Sequence, residues 1–252
     1  MNPVYLLAGG RGESRKGPDL LLQEVFSRTG LKEPSVAYLG AASEDDRDFH
    51  NWLSARFRAA GSGAVRLAPT ASARADLDKA RAILSESDLV FFSGGDVEVG
   101  MRILRERGLL PFLRRLHRVG RPFFGLSAGS IMLARGWVRW ADPANDATAE
   151  RFDCLGLVPI LCDTHAETEN WEELKALLRL CRHPGTVGYG IPSGGALRIM
   201  PNGGVSALGK PAFRFRAQAG GIVSLLPLPP EPASGRCGLP GGNRGPISTV
   251  NK

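Results

Sequence analysis

A chain of 252 residues, 43% hydrophobic and 23% charged, is long enough to bury a substantial core and has the balance of an ordinary globular protein. Its 32 lysines and arginines against 25 acids give a formal charge of +7. The bases alternate with acids, as in Arg102-Ile-Leu-Arg-Glu-Arg107, and no basic run carries interleaved aromatics, so a nucleic-acid-binding face is not expected. Cys154, Cys162, Cys181 and Cys237 fit neither CxxC pairs nor zinc spacings and read as reduced thiols of a cytoplasmic protein. No apolar run nears the ~20 residues of a membrane span, and Met1 leads straight into a strand rather than a signal peptide.

In chain order, Pro3-Val-Tyr-Leu-Leu-Ala8 is a short apolar run that predicts a buried parallel strand. The Gly9-Gly10-Arg11-Gly12 loop behind it lacks both the Lys-Ser/Thr of a P-loop and a full dinucleotide fingerprint, so no nucleotide cofactor is expected. An amphipathic helix follows over residues 20–27 and a second strand over 35–39. Ser43 predicts the N-cap of a helix reaching about Ala60, which carries His50. Then come a strand at 64–67, a helix at 75–85, a strand at 89–92 opening into Ser93-Gly94-Gly95-Asp96, and one long helix over 97–119 interrupted near Pro111. This alternation argues for an α/β fold: a doubly wound, mostly parallel sheet with helices on both faces and its site at the carboxyl ends of the strands.

The apolar run before Gly125-Leu-Ser-Ala-Gly129 and the helix-compatible segment after it place Ser127 on a strand-to-helix elbow, the Gly-x-Ser-x-Gly arrangement that exposes a nucleophile. Residues 136–153 read as loop-rich. Residues 155–161 predict a strand leading into Cys162-Asp-Thr-His165, residues 170–180 a helix, and residues 187–215 short antiparallel strands with Gly-rich turns. One domain over 1–228 is expected, with a flexible tail over 229–252 rich in Pro, Gly and Ser. A serine nucleophile needs a base. His50 and His117 fall inside helical patterns and His183 precedes a proline, which leaves His165, at a strand end, as the best-placed imidazole.

Taken together, Gly125-Leu-Ser-Ala-Gly-Ser130, Phe91-Phe-Ser-Gly-Gly-Asp96, Asp163-Thr-His165 and Gly190-Ile-Pro-Ser-Gly194 resemble, in order and spacing, the motifs of peptidase family S51, the aspartyl dipeptidase and cyanophycinase family, over residues 1–225. The resemblance implies the class I glutamine amidotransferase-like fold and a serine-type hydrolase of short peptides or isopeptides. It implies Ser127 as nucleophile, His165 as general base, and the N–H groups of Gly95 and Ala128 as the oxyanion hole. It also implies a small peptide substrate, with no cofactor, metal, nucleic acid or membrane, and a chain that could pair as a homodimer. Members prefer acidic, Asp-containing peptides, for which Arg135, Arg139 or Arg151 would supply the contact.

The chain departs from the family at Ser193, where related dipeptidases carry a glutamate. Asp142 is then expected to orient His165, with Asp163, Asp146 and Glu169 as alternatives. Two other readings remain: a non-catalytic member with an impaired triad, and a glutamine amidotransferase subunit, whose cysteine nucleophile is replaced here by Ser127.

Overall fold

The computed structural model describes residues 2–9, 19–142, 144–181 and 183–232. Gly10 to Gly12, the side chain of Asp146, Cys237 and most of the expected tail lie outside the described residues. Five strands run parallel: β1 (Val4–Leu7), β2 (Val36–Leu39), β3 (Val65–Ala68), β4 (Leu89–Phe92) and β5 (Phe123–Leu126). Two antiparallel strands, β10 (Ala196–Ile199) and β11 (Val205–Leu208), extend the β1 edge to give the order β11-β10-β1-β5-β4-β2-β3. Each of these strands is four residues long, and β1, β2 and β4 are apolar and buried along their whole length, as two covered faces require.

Side chains alternate across this sheet, so neighbouring phenylalanines serve opposite cores. Phe91 and Phe124 face one side with Phe26 and Phe57, their rings 4.8 Å apart. Phe92 and Phe123 face the other with Met101, Leu113 and Met132. The first core is roofed by α1 (Leu20–Ser27) and α2 (Arg47–Ala59), the second by α3 (Leu77–Glu86), α4 (Val97–Glu106), α5 (Leu110–Arg118) and α6 (Ala128–Leu133). The expected α/β architecture with helices on both faces is therefore present.

Several local expectations are corrected. Asp46, not Ser43, caps α2, its Oδ1 accepting from Phe49 N at 2.7 Å; Ser43 closes a 3-10 turn instead and meets Ser93 Oγ. The long helix is two. Gly108 sits at φ 63°, the left-handed geometry that ends a helix, and Pro111 opens the next, where its missing N–H costs nothing. The loop-rich stretch holds a hairpin, β6 (Gly136–Trp140) with β7 (Ala149–Asp153). The strand expected over 155–161 begins only at Leu161, because Gly156 is left-handed and Pro159 has no N–H to pair.

That later strand, β8 (Leu161–Thr164), belongs to a second sheet. It pairs in parallel with β9 (Val187–Ile191), and β12 (Ala212–Gln218) and β13 (Gly221–Leu228) complete the order β13-β12-β9-β8. The last helix, α7 (Glu172–Arg179), packs Leu174, Leu177 and Leu178 onto it. Past β13 the chain still docks: Glu231 N donates to Ala207 O, and its carboxylate takes both of its bonds from Arg198 Nη2. Among the described residues no helix is long and apolar enough to cross a membrane.

Candidate active site

The elbow forms because two glycines let β5 and α6 close on each other. A Cβ on Gly125 would lie 2.5 Å from the Gly129 carbonyl carbon, and one on Gly129 would lie 2.1 Å from Phe92 O. Between them Ser127 takes φ 52°, ψ −120°, a conformation an L-residue holds only at a cost of about 1–3 kcal/mol. It is locked there by Ser127 N donating to Leu7 O (2.9 Å) and by the Ser130 hydroxyl donating to the same carbonyl (2.9 Å). The strain turns the serine side chain out of the sheet rather than into a core.

His165 reaches it from the second sheet. It follows β8 directly, at φ 44°, and its N–H donates to Ile191 O at 2.9 Å. That turn brings Nε2 to 2.6 Å from Ser127 Oγ, the contact of a hydroxyl with the base that would take its proton. The two side chains thus meet across two sheets, Ser127 at the end of β5 and His165 at the end of β8.

Gly95 follows β4 and stands at φ 138°, where a Cβ would meet Ala42 O at 2.0 Å, so only glycine fits. Its neighbour Gly94 lies against the serine, a Cβ there falling 3.5 Å from Ser127 Cβ. Among the described residues neither Gly95 N–H nor Ala128 N–H has a hydrogen-bond acceptor.

The acids are placed differently from one another. Asp142 is exposed in the β6–β7 turn, where Oδ1 accepts from Ala144 N and the backbone binds Thr148 Oγ1. Its side chain is used to shape that turn, and the structure does not bring it to His165. Asp163 is buried, with Oδ1 accepting from Thr164 N (2.7 Å) and Oδ2 without a partner. Burial pushes its carboxyl up to about 7, the Thr164 bond opposing and the nearby Glu173, Glu169 and Glu167 adding to the rise. Glu169 is exposed before α7. Glu167, not singled out in the sequence, accepts from Ser193 N at 2.6 Å and so ties the His165 loop to the turn after β9. Its signal was its place two residues past His165; that it meets Ser193 is visible only in three dimensions. Nδ1 of His165 has no hydrogen-bond partner among the described residues.

Two of the three arginines expected to greet an acidic substrate are occupied: Arg139 pairs with Glu98 and Glu150, and Arg151 with Asp153. Arg135 is exposed. The buried thiols are inert nucleophiles, since desolvation pushes Cys154 up to about 12 and raises Cys162 well above the usual thiol range. No group of His, Cys, Asp and Glu among the described residues is arranged to hold a metal ion.

Two solved structures share this fold. A peptidase from an acI-B1 Actinobacterium superposes with a TM-score of 0.64 at 15% identity, covering 89% of this chain and 97% of its own. A provisional peptidase E from Listeria monocytogenes EGD-e gives 0.57 at 17% identity, covering 82% and 98%. No curated protein matches the sequence. The sequence profile of Peptidase family S51 matches residues 4–205, from β1 to the start of β11 and through every segment that builds the Ser127–His165 contact; the chain belongs to this family, a membership that supports a peptidase function.

Proposed function

We propose that this protein is a serine-type peptidase cleaving short peptides or isopeptides through an acyl-enzyme on Ser127. The observation that carries the reading is the 2.6 Å contact between Ser127 Oγ and His165 Nε2, made by a serine held in a strained elbow. In the first half-reaction Ser127 Oγ attacks the carbonyl carbon while its proton passes to His165 Nε2. The carbonyl oxygen becomes an oxyanion facing Gly95 and Ala128 N–H, each such donor being worth roughly 10²–10³ in rate. The amine leaves with the proton from Nε2. Water then repeats the sequence, releasing the acid and restoring the hydroxyl.

A fluorophosphonate probe should label the wild-type protein at Ser127 and fail to label Ser127→Ala. Absence of wild-type labelling would instead favour the second reading, a non-catalytic member, to which the unpartnered Nδ1 of His165 lends support.

In this reading Glu167, rather than Asp142, works on His165, through the bond that fixes its loop to Ser193. Glu167→Ala should lower kcat by roughly 10²-fold, the scale of a slight misplacement of a catalytic group. Glu167→Gln, whose amide oxygen still accepts from Ser193 N, should recover most of it. Steady-state kinetics on the two variants, with Asp142→Asn retaining wild-type rates, check this assignment.

A further inference from the structure

Helix α2 presents a second side-chain row beside the nucleophile that the reaction chemistry does not use. Leu53 and Phe57 are its buried face and roof the core. Phe49, itself partly packed on that core, leads into Trp52 and Arg56, spaced three and four residues apart along the helix. Phe49 and Trp52 stack with centroids 5.9 Å apart and planes 14° apart, and the Arg56 guanidinium lies 5.0 Å over the Trp52 ring. At its inner end Gly94 lies between Phe49 and the nucleophile: the position a Gly94 Cβ would take is 3.5 Å from Ser127 Cβ and 4.0 Å from Phe49 Cζ. Trp52, at its outer end, is 54% exposed, so its indole leaves apolar area that no described residue covers.

We infer that Phe49 and Trp52 form the side-chain subsite of the Ser127 centre and that it accepts aromatic or large apolar residues flanking the scissile bond. This rests on the acyl-enzyme reading above. The rings are held in place by Arg56 and by the helix, so a substrate ring adds to an existing stack and covers exposed area without reordering the protein. The charges nearby do not favour an acidic side chain. Glu44, Asp45, Asp46 and Asp48 stand at the start of α2 with Arg47 among them, Arg56 on the row itself is paired with Asp19 at 3.4 Å, and Arg139 and Arg151 are paired as well.

The test uses the full-length protein and dipeptides carrying Phe, Ala or Asp at either position, with wild-type labelling of Ser127 by a small fluorophosphonate lacking any side chain as an independent readout. The wild type should show kcat/KM for the best phenylalanine dipeptide roughly 10- to 100-fold above its alanine counterpart, the scale of discrimination an apolar pocket supplies. Aspartyl dipeptides should rank at or below alanine. Trp52→Ala, at an exposed position, should collapse the phenylalanine-to-alanine ratio toward one, mainly through KM. Phe49→Leu should reduce it while keeping an apolar side chain against the core. A labelled wild type that favours aspartyl dipeptides, or a phenylalanine preference untouched by Trp52→Ala, overturns the subsite while leaving the nucleophile standing. No labelling overturns both.

Discussion

Replacing Ser127 with alanine should lower kcat by roughly 10⁴- to 10⁶-fold and leave the melting temperature where it was. The hydroxyl's one hydrogen bond is to His165, and both residues sit outside the packed cores, so its removal leaves no cavity and no stranded buried group. His165→Ala should cost about as much, and the double variant little more, because the two act as a unit. The backbone supplies a companion test. At φ 52°, ψ −120° alanine carries the same strain as serine, whereas glycine does not. Ser127→Gly should therefore be equally inactive yet more stable, by about 1 kcal/mol once glycine's added chain entropy is subtracted. Thermal melts and steady-state rates on the four variants decide the matter. A Ser127→Ala protein within tenfold of wild type would place the nucleophile elsewhere.

Much of this site could be read from the residue order because the reacting groups sit where local rules are strong. An apolar strand that must turn within Gly125-Leu-Ser-Ala-Gly129 has few backbone solutions, and the one it takes exposes Ser127. Gly95 is similar: its contact with Ala42 O admits no side chain, so the glycine advertises a close approach of backbone. The imidazole was found by position, but its route was not, since nothing in Cys162-Asp-Thr-His165 says whether β8 joins the first sheet or a second one. Pairing of β8 with β9, rather than with a strand of the parallel set, depends on contacts between segments twenty-odd residues apart. The same limit hid Glu167. Its bond to Ser193 N spans two loops, whereas Asp142, chosen from its place in the chain, turned out to serve the turn it sits in. The β6–β7 hairpin leaves little trace in the sequence because β7 packs Glu150, Arg151 and Asp153 into five residues and the intervening Asp142-Pro-Ala-Asn-Asp146 reads as open loop.

Asp163→Asn should stabilise the protein at pH 8 by about 4 kcal/mol and by less than about 1 kcal/mol at pH 4. The carboxyl titrates near 3.8 when solvated and is pushed up to about 7 in the fold, chiefly by burial, with Oδ2 facing no donor. A raised carboxyl binds its proton more tightly folded than unfolded. Folding stability therefore declines as pH rises through that interval, and the full cost, at 1.36 kcal/mol per unit, is in place only above about pH 7. Asparagine matches the neutral acid in shape, still accepts from Thr164 N, and carries no charge to desolvate at any pH. Melting curves from pH 4 to 8 should thus converge at the acid end and separate by on the order of 10 °C at the alkaline end. Parallel curves at all pH values would show that Asp163 ionises freely in the folded protein. The pH dependence also bears on the site: an acid that is largely protonated below neutrality cannot supply a fixed negative charge to an imidazole two residues away. A wild-type rate that survives Asp163→Asn is accordingly the expected kinetic companion, and it leaves the positioning of His165 to the loop that Glu167 ties down.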